Sequence, residues 1–286
     1  MKNLPYLSDE KLDQFIRAVL AEDIGPGDHS TLASIPAERE GSARLLIKDS
    51  GIIAGLELAK KIFQTYEPRL QVDLLLADGS EVQQGDIGLL VQGPAAAILS
   101  TERVVLNCLQ RMSGIATKTH YFNSLIAHTK ARVMDTRKTT PGFRMLEKWA
   151  VILGGGLNHR YALYDMVMLK DNHIDFAGGI EAAIRATQAY LKAENLQLKI
   201  EVETRTLGDV EEVLRVGGID LIMLDNMDYP TMRRAVALID GRFPVEASGG
   251  VTEKTLRDVA ECGVDYISIG ALTHHVKSMD ISLKAC

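Results

Sequence analysis

Beyond residue 130 the sequence settles into short β-rich runs, ARVM, MVML, LKIEV, DLIML, PVEA and DYISI, alternating with stretches of helical periodicity. Parallel strands cannot be joined by a tight turn. They need a crossover, usually a helix, and those helices then cover the sheet. The alternation therefore restricts this region to a parallel α/β sheet, open or closed into a barrel. The intervening stretches carry their own signals. GGIEAAIRATQAYL places Ile180, Ala183, Ile184 and Leu191 on one helical stripe. Further helices are predicted to start near Thr206, Pro230 and Thr252, with Thr252 as an N-cap and with Gly217 and Gly263 at C-caps.

Polar or small residues recur where these strands end: Asp135, Lys170, Glu203, Asp225, Ser248 and Gly270, spaced 35, 33, 22, 23 and 22 residues apart. That spacing is about one βα unit each time. In barrels and open parallel sheets the C-terminal strand ends converge on one face, where binding sites are built. One charged residue there is ordinarily a helix cap or a solvated group. Six in register exceed what a scaffold needs.

The strand-end residues sort by chemistry. Arg137, Lys138, His159, Arg160 and Lys170 form a cationic set able to bind more than one carboxylate or phosphate. Glu203 and Asp225 form an acidic pair that can stabilise a developing positive centre, orient sugar hydroxyls or hold Mg²⁺. Ser248, Gly249 and Gly250, with Ser268 and Gly270, offer backbone N–H groups where barrels usually bind phosphate. Together these describe a substrate with a phosphorylated sugar and a separate carboxylate.

Charge sharpens this reading. The net charge is -6, so the chain lacks the broad positive field needed for nucleic acid or an anionic membrane. Its basic cluster is better read as a pocket for a small anion. Cys108, Cys262 and Cys286 are far apart and odd in number, which suggests reduced thiols. No signal-type or membrane-length apolar run occurs, so a cytoplasmic location is expected.

Before about residue 115, the runs ARLLIK, QVDLLLA and IGLLVQG surround a helical interval near 55–66, which predicts a mixed α/β unit. A helix follows from about Ser100 to Met112. Val104, Val105, Cys108, Leu109 and Met112 form its apolar stripe, with Arg103, Asn107 and Arg111 opposite. Other candidates are weaker. His274 and His275 lack a second cluster for a metal, and Gly154–Gly156 fit a helix end better than a dinucleotide loop. His120 and His128 read as surface histidines. Asn172 and His173 fit loop-holding and substrate contact equally well.

Ordered segments along nearly the whole chain resemble the quinolinate phosphoribosyltransferases. They are EDIGPGDHST, LNCLQRMSGIAT, DTRKTTPGFRMLEKWAV, GGGLNHRYALYDMVMLKDNHI, IEVE, LDN, VEASGG and SIGALTHH. Leu153 stands where that family often has Cys, and TRTLGD after Glu203 is slightly irregular. The resemblance implies an N-terminal α/β sandwich (1–113, joined again by 274–286) and an incomplete α/β barrel (114–273). It implies transfer of phosphoribosyl from 5-phosphoribosyl-1-pyrophosphate to quinolinate, giving nicotinate mononucleotide, CO₂ and pyrophosphate. Mg²⁺ would enter mainly through the substrate's pyrophosphate.

Residue by residue, the resemblance assigns Arg137, His159 and Arg160 to the quinolinate carboxylates. It places Lys138 and Lys170 between carboxylates and pyrophosphate, Glu203 and Asp225 facing the ribose, and Ser248–Gly250 with Gly270 and His274 around the 5-phosphate, and Ser268 beside them is a further substrate-binding candidate. It implies a homodimer or larger homo-oligomer in which Arg103 reaches the neighbouring subunit's pocket. By pattern alone, Arg103 is a solvated charge. Three rivals remain: a paralogous phosphoribosyltransferase acting on another carboxylated base, a barrel lyase using Lys138 or Lys170 as a Schiff-base amine, and a non-catalytic anion binder.

Overall fold

The computed structural model describes residues 4–286. In chain order the first elements are α1 (Asp9–Ile24), α2 (His29–Ser34), β1 (Glu40–Ile47), β2 (Gly51–Ile52), α3 (Leu56–Tyr66), β3 (Gln71–Leu74), β4 (Glu81–Val82) and β5 (Ile87–Pro94). Then come α4 (Ala95–Leu125), β6 (Arg132–Met134), α5 (Arg144–Leu153), β7 (Val167–Leu169), α6 (Asp171–Ala177), α7 (Ile180–Ala193) and β8 (Ile200–Thr204). The chain finishes with α8 (Leu207–Val216), β9 (Leu221–Asp225), α9 (Tyr229–Ile239), β10 (Val245–Ser248), α10 (Leu256–Ala260), β11 (Tyr266–Ser268), α11 (Ala271–His274) and β12 (Ile281–Ala285). The fold is α/β: an N-terminal sandwich and a C-terminal incomplete barrel.

One compact unit comprises the described residues up to His120, Thr140–Gly155 and His275–Cys286. Its four-stranded antiparallel sheet runs β12-β1-β5-β3, so the last strand of the chain lies at the edge beside the first. Helix α3 buries Leu56, Leu58, Ala59, Ile62 and Phe63, the (i, i+3/i+4) stripe expected of a helix laid on a sheet. Its N-terminal amides at Gly55 and Leu56 donate to Asp78 at 2.6 and 2.8 Å, which satisfies donors no residue within the helix can reach. Inside the same unit Arg111 donates to the fully buried Glu147 of α5 at 2.8 Å. Glu147 also accepts the N–H and hydroxyl of Thr140, which fixes the turn leading into α5.

The other unit, Tyr121–Thr139 and Gly156–His274, holds six parallel strands in the order β6-β11-β10-β9-β8-β7. A closed barrel would also pair β6 with β7. These two edge strands are not paired, and a single bridge from Met134 to Leu157 extends the β6 side. The gap therefore falls between consecutive strands whose connection contains α5. Strand alternation sorts the side chains. Val202, Ile222, Leu224, Ala247 and Ile267 have one parity and are fully buried. Glu201, Glu203, Met223, Asp225, Glu246, Ser248 and Ser268 have the opposite parity and face the barrel interior with the cavity described below.

The structure modifies several local expectations. Helix α4 begins at Ala95 and runs to Leu125, well beyond the predicted 100–112. Gly114 does not break it, because a Cβ there would come within 2.3 Å of the Lys277 carbonyl oxygen: the glycine admits a close backbone approach. Thr252 is not the N-cap of α10. It forms a turn with Thr255, whose hydroxyl accepts the Thr252 N–H at 2.9 Å, and the helix starts at Leu256. The C-cap of that helix is Glu261, two residues before Gly263. Thr206 does cap α8, and Gly217 ends it.

Candidate active site

The barrel unit opens into a cavity of about 820 Å³ at the C-terminal ends of its strands. Its walls include Arg137, Lys138, His159, Arg160, Lys170, Glu203, Asp225, Ser248, Gly249, Gly250, Ser268, Gly270 and His274. Every site residue expected from the sequence therefore lines this one cavity except Arg103, which is exposed on α4 in the other unit. Thr136, Met168, Asp171, Asn226 and Glu246 complete much of the wall.

The cationic side is built by the segments after β6 and α5. Lys138 is held by its backbone: its N–H donates to Thr136 Oγ1 at 3.0 Å, and its carbonyl accepts from Thr273 Oγ1 at 2.8 Å. Arg137 Nε is buried without a hydrogen-bond partner among the described residues. An unmet guanidinium donor is costly, so this geometry suits a side chain that completes its bonding on a ligand. Arg160 is anchored by Nη1 on the Met166 carbonyl at 3.1 Å. Burial, and then the neighbouring charge of Arg137, push its pKa below the ordinary guanidinium range. Two crowded guanidiniums of this kind hold each other up in energy until an anion arrives.

On the opposite wall, Glu203 accepts the Asp171 N–H at 3.4 Å. Burial raises its pKa, and the charge of Asp225 raises it further. Asp225, half-buried, accepts from the Asn226 side chain at 2.8 Å. Lys170 opens α6, its N–H donating to His173 Nδ1 at 3.1 Å. His173 thus holds the loop, and neither it nor Asn172 is among the lining residues.

The third wall is backbone. Gly249 has φ +103°, and a Cβ there would lie 2.2 Å from Asn226 Oδ1, so only glycine fits the loop after β10. A Cβ at Gly270 would come within 2.8 Å of Lys138 Cδ and 2.9 Å of His274 Nε2. With Cβ atoms removed at both strand exits, backbone N–H groups can approach an anion closely.

Behind the cavity wall, His159 Nε2 meets the completely buried Glu201 Oε2 at 2.8 Å. The strand-end pattern in the sequence does not single out Glu246, which packs against this pair. The available signal was a lone charge inside PVEAS, an otherwise apolar strand.

Comparison with known proteins shows which chains and folds this one resembles. The family model described as quinolinate phosphoribosyl transferase, C-terminal domain, matches residues 115–284, and the corresponding N-terminal domain model matches residues 28–113. The chain is 47% identical over 288 residues to the chloroplastic nicotinate-nucleotide pyrophosphorylase (carboxylating) of Arabidopsis thaliana, covering 96% of this chain and 82% of that protein. It is 47% identical over 284 residues to quinolinate phosphoribosyltransferase (decarboxylating) 1b of Nicotiana tabacum, covering 94% and 81%. The crystal structure of NadC from Streptococcus pyogenes superposes with a TM-score of 0.92 at 37% identity, covering 97% of each chain.

Proposed function

The chain belongs to the quinolinate phosphoribosyltransferase family, and from that membership we infer how the residues of this cavity carry out the family's reaction. The activity is phosphoribosyl transfer to quinolinate with decarboxylation, in NAD biosynthesis. The observation that carries the residue assignment is the buried Arg137 Nε, without a hydrogen-bond partner among the described residues, in the cavity wall it shares with Arg160 and His159, a cationic corner suited to a dicarboxylate.

In our reading, Arg137, His159 and Arg160 bind the two carboxylates of quinolinate and aim its ring nitrogen at the anomeric carbon. Ser248, Gly249 and Gly250, with Ser268, Gly270 and His274, hold the 5-phosphate of the donor. The bond from the anomeric carbon to pyrophosphate breaks first, and its electron pair leaves with the pyrophosphate. Lys138 and Lys170 balance that charge. Glu203 and Asp225 stabilise the oxocarbenium character left on the ribose. The pyridine nitrogen then donates its lone pair to the anomeric carbon and becomes quaternary. That positive nitrogen accepts the electron density released when the adjacent carboxylate departs as CO₂, and the ring carbon takes a proton.

The donor set fits Mg²⁺ brought in on pyrophosphate. The cavity offers hard carboxylate oxygens at Glu203 and Asp225, which would help hold an ion bound mainly through the pyrophosphate. When bound, Mg²⁺ neutralises the leaving group. We further propose a homodimer or larger homo-oligomer in which the exposed Arg103 enters the neighbouring subunit's pocket. The sandwich is assigned to 1–113 with 274–286 and the barrel to 114–273. Pairing of β12 with β1 supports the return of the tail. A cytoplasmic location is supported by three free cysteines. Among the described residues no helix is long and apolar enough to cross a membrane.

The assignment is tested by substrate preference. Purified protein supplied with the phosphoribosyl donor and Mg²⁺ is expected to consume quinolinate. Turnover of nicotinate with none of quinolinate would move the assignment to a paralogous activity.

A further inference from the structure

One layer below the cavity's acidic pair, Glu201 of β8 and Glu246 of β10 are both completely buried. His159 Nε2 lies 2.8 Å from Glu201 Oε2 and 3.5 Å from Glu246 Oε2, and one ligating atom from each of the three side chains falls within 4.8 Å of the others. Glu201 Oε1 and both carboxyl oxygens of Glu246 are buried with no hydrogen-bond partner among the described residues. Two adjacent carboxylates cannot both remain ionised in so dry a place. A carboxyl O–H is the donor this cluster can supply to itself. A divalent cation would require both acids to be ionised, and it would put a positive centre beside Arg160 and Arg137.

Resting on the assignment of His159 to quinolinate, we propose that Glu201 and Glu246 share one proton and together act as a positioning pair. The pair holds His159 with Nε2–H as donor and so fixes the orientation of a ring that lines the cavity. The groups facing the pair are consistent with this division. Arg160, Glu203 and Lys170 surround Glu201, whereas Glu201, His159 and Ser268 surround Glu246. Burial pushes Glu246 up to about 8, with the charge of Glu201 adding to it, and burial pushes Glu201 up to about 7. His159 Nε2 lies closer to Glu201 than to Glu246, so the carboxylate facing His159 is Glu201 and the shared proton is placed on Glu246.

Three variants and one spectrum test the pair. Glu201→Gln removes the anionic acceptor and is expected to raise the KM for quinolinate about thirtyfold, with the KM for the phosphoribosyl donor unchanged. Glu246→Gln keeps an N–H donor toward Glu201 and should raise it only about threefold, whereas Glu246→Leu should match Glu201→Gln. Equal effects of Gln and Leu at position 246, or equal rises in both KM values, would overturn the proposal. Nitrogen-15 NMR of the substrate-free wild type should show His159 Nε2 protonated. A bare Nε2 would also overturn it. The spectrum needs no turnover and no variant to fold. A wild type inactive on quinolinate would therefore discredit the substrate assignment while the spectrum still decides the pair.

Discussion

Asp135 accepts the backbone N–H of His159 at 3.0 Å, joining the end of β6 to the segment that follows α5. Asp135 is completely buried, and its second oxygen takes the side-chain amide of Asn158. One carboxylate thus sets where the segment that carries His159 and Arg160 enters the cavity. Asp135→Ala leaves these donors unmet in a dry site and should destabilise the protein by about 2–4 kcal/mol. Urea unfolding checks this, and a midpoint equal to wild type would assign Asp135 no such role.

Arg137→Ala should raise the KM for quinolinate by at least about tenfold and leave that for the phosphoribosyl donor within about twofold, because it removes a charge-assisted contact to one substrate only. Steady-state kinetics with each substrate varied in turn measures the split.

At Gly249 the sensitivity is expected to reverse. An alanine methyl would collide with Asn226, whose backbone nitrogen lies 2.9 Å and whose Oδ1 lies 2.2 Å from the new Cβ. Gly249→Ala should therefore raise the KM for the phosphoribosyl donor about tenfold or more, with quinolinate less affected. Gly250→Ala, where a Cβ meets nothing within 4 Å, should be milder.

Arg103→Ala should fold normally and raise the KM for quinolinate. Its placement in a partner's pocket is tested by mixing it with Lys170→Ala. In randomly reassorted dimers one site per hybrid regains both residues, so about a quarter of wild-type activity should return. No recovery on mixing would confine Arg103 to its own subunit or to the surface.

The buried pair also sets a pH trend. Glu201 and Glu246 have folded values of about 7 and about 8, above the ordinary 4.5. Between these limits the folded protein binds more proton than the unfolded chain. Their contribution is full below about 4.5 and is lost as pH rises through about 8. Denaturation midpoints should fall across that window, and Glu246→Gln should flatten the fall.

Much of the site was legible because barrel geometry repeats. Every second residue near a strand end faces the same cavity, so Lys170, Glu203, Asp225 and Ser248 announced themselves by spacing. Glu246 escaped notice because one charge in a four-residue strand resembles noise until its partner two strands away is known. The length of α4 was hidden by Gly114, whose role depends on the distant Lys277. Helix α6 was not anticipated: its start is Lys170, and its N-terminal hydrogen bonding uses His173, neither a usual capping signal.

The most direct measurement follows carbon and phosphorus together. Purified protein is incubated with Mg²⁺, 5-phosphoribosyl-1-pyrophosphate and quinolinate labelled in the carboxyl group next to the ring nitrogen. Labelled CO₂, nicotinate mononucleotide and pyrophosphate should appear in equal amounts, and Arg137→Ala should lower all three together at limiting quinolinate. Pyrophosphate release without labelled CO₂, or no product from quinolinate at all, would contradict the account.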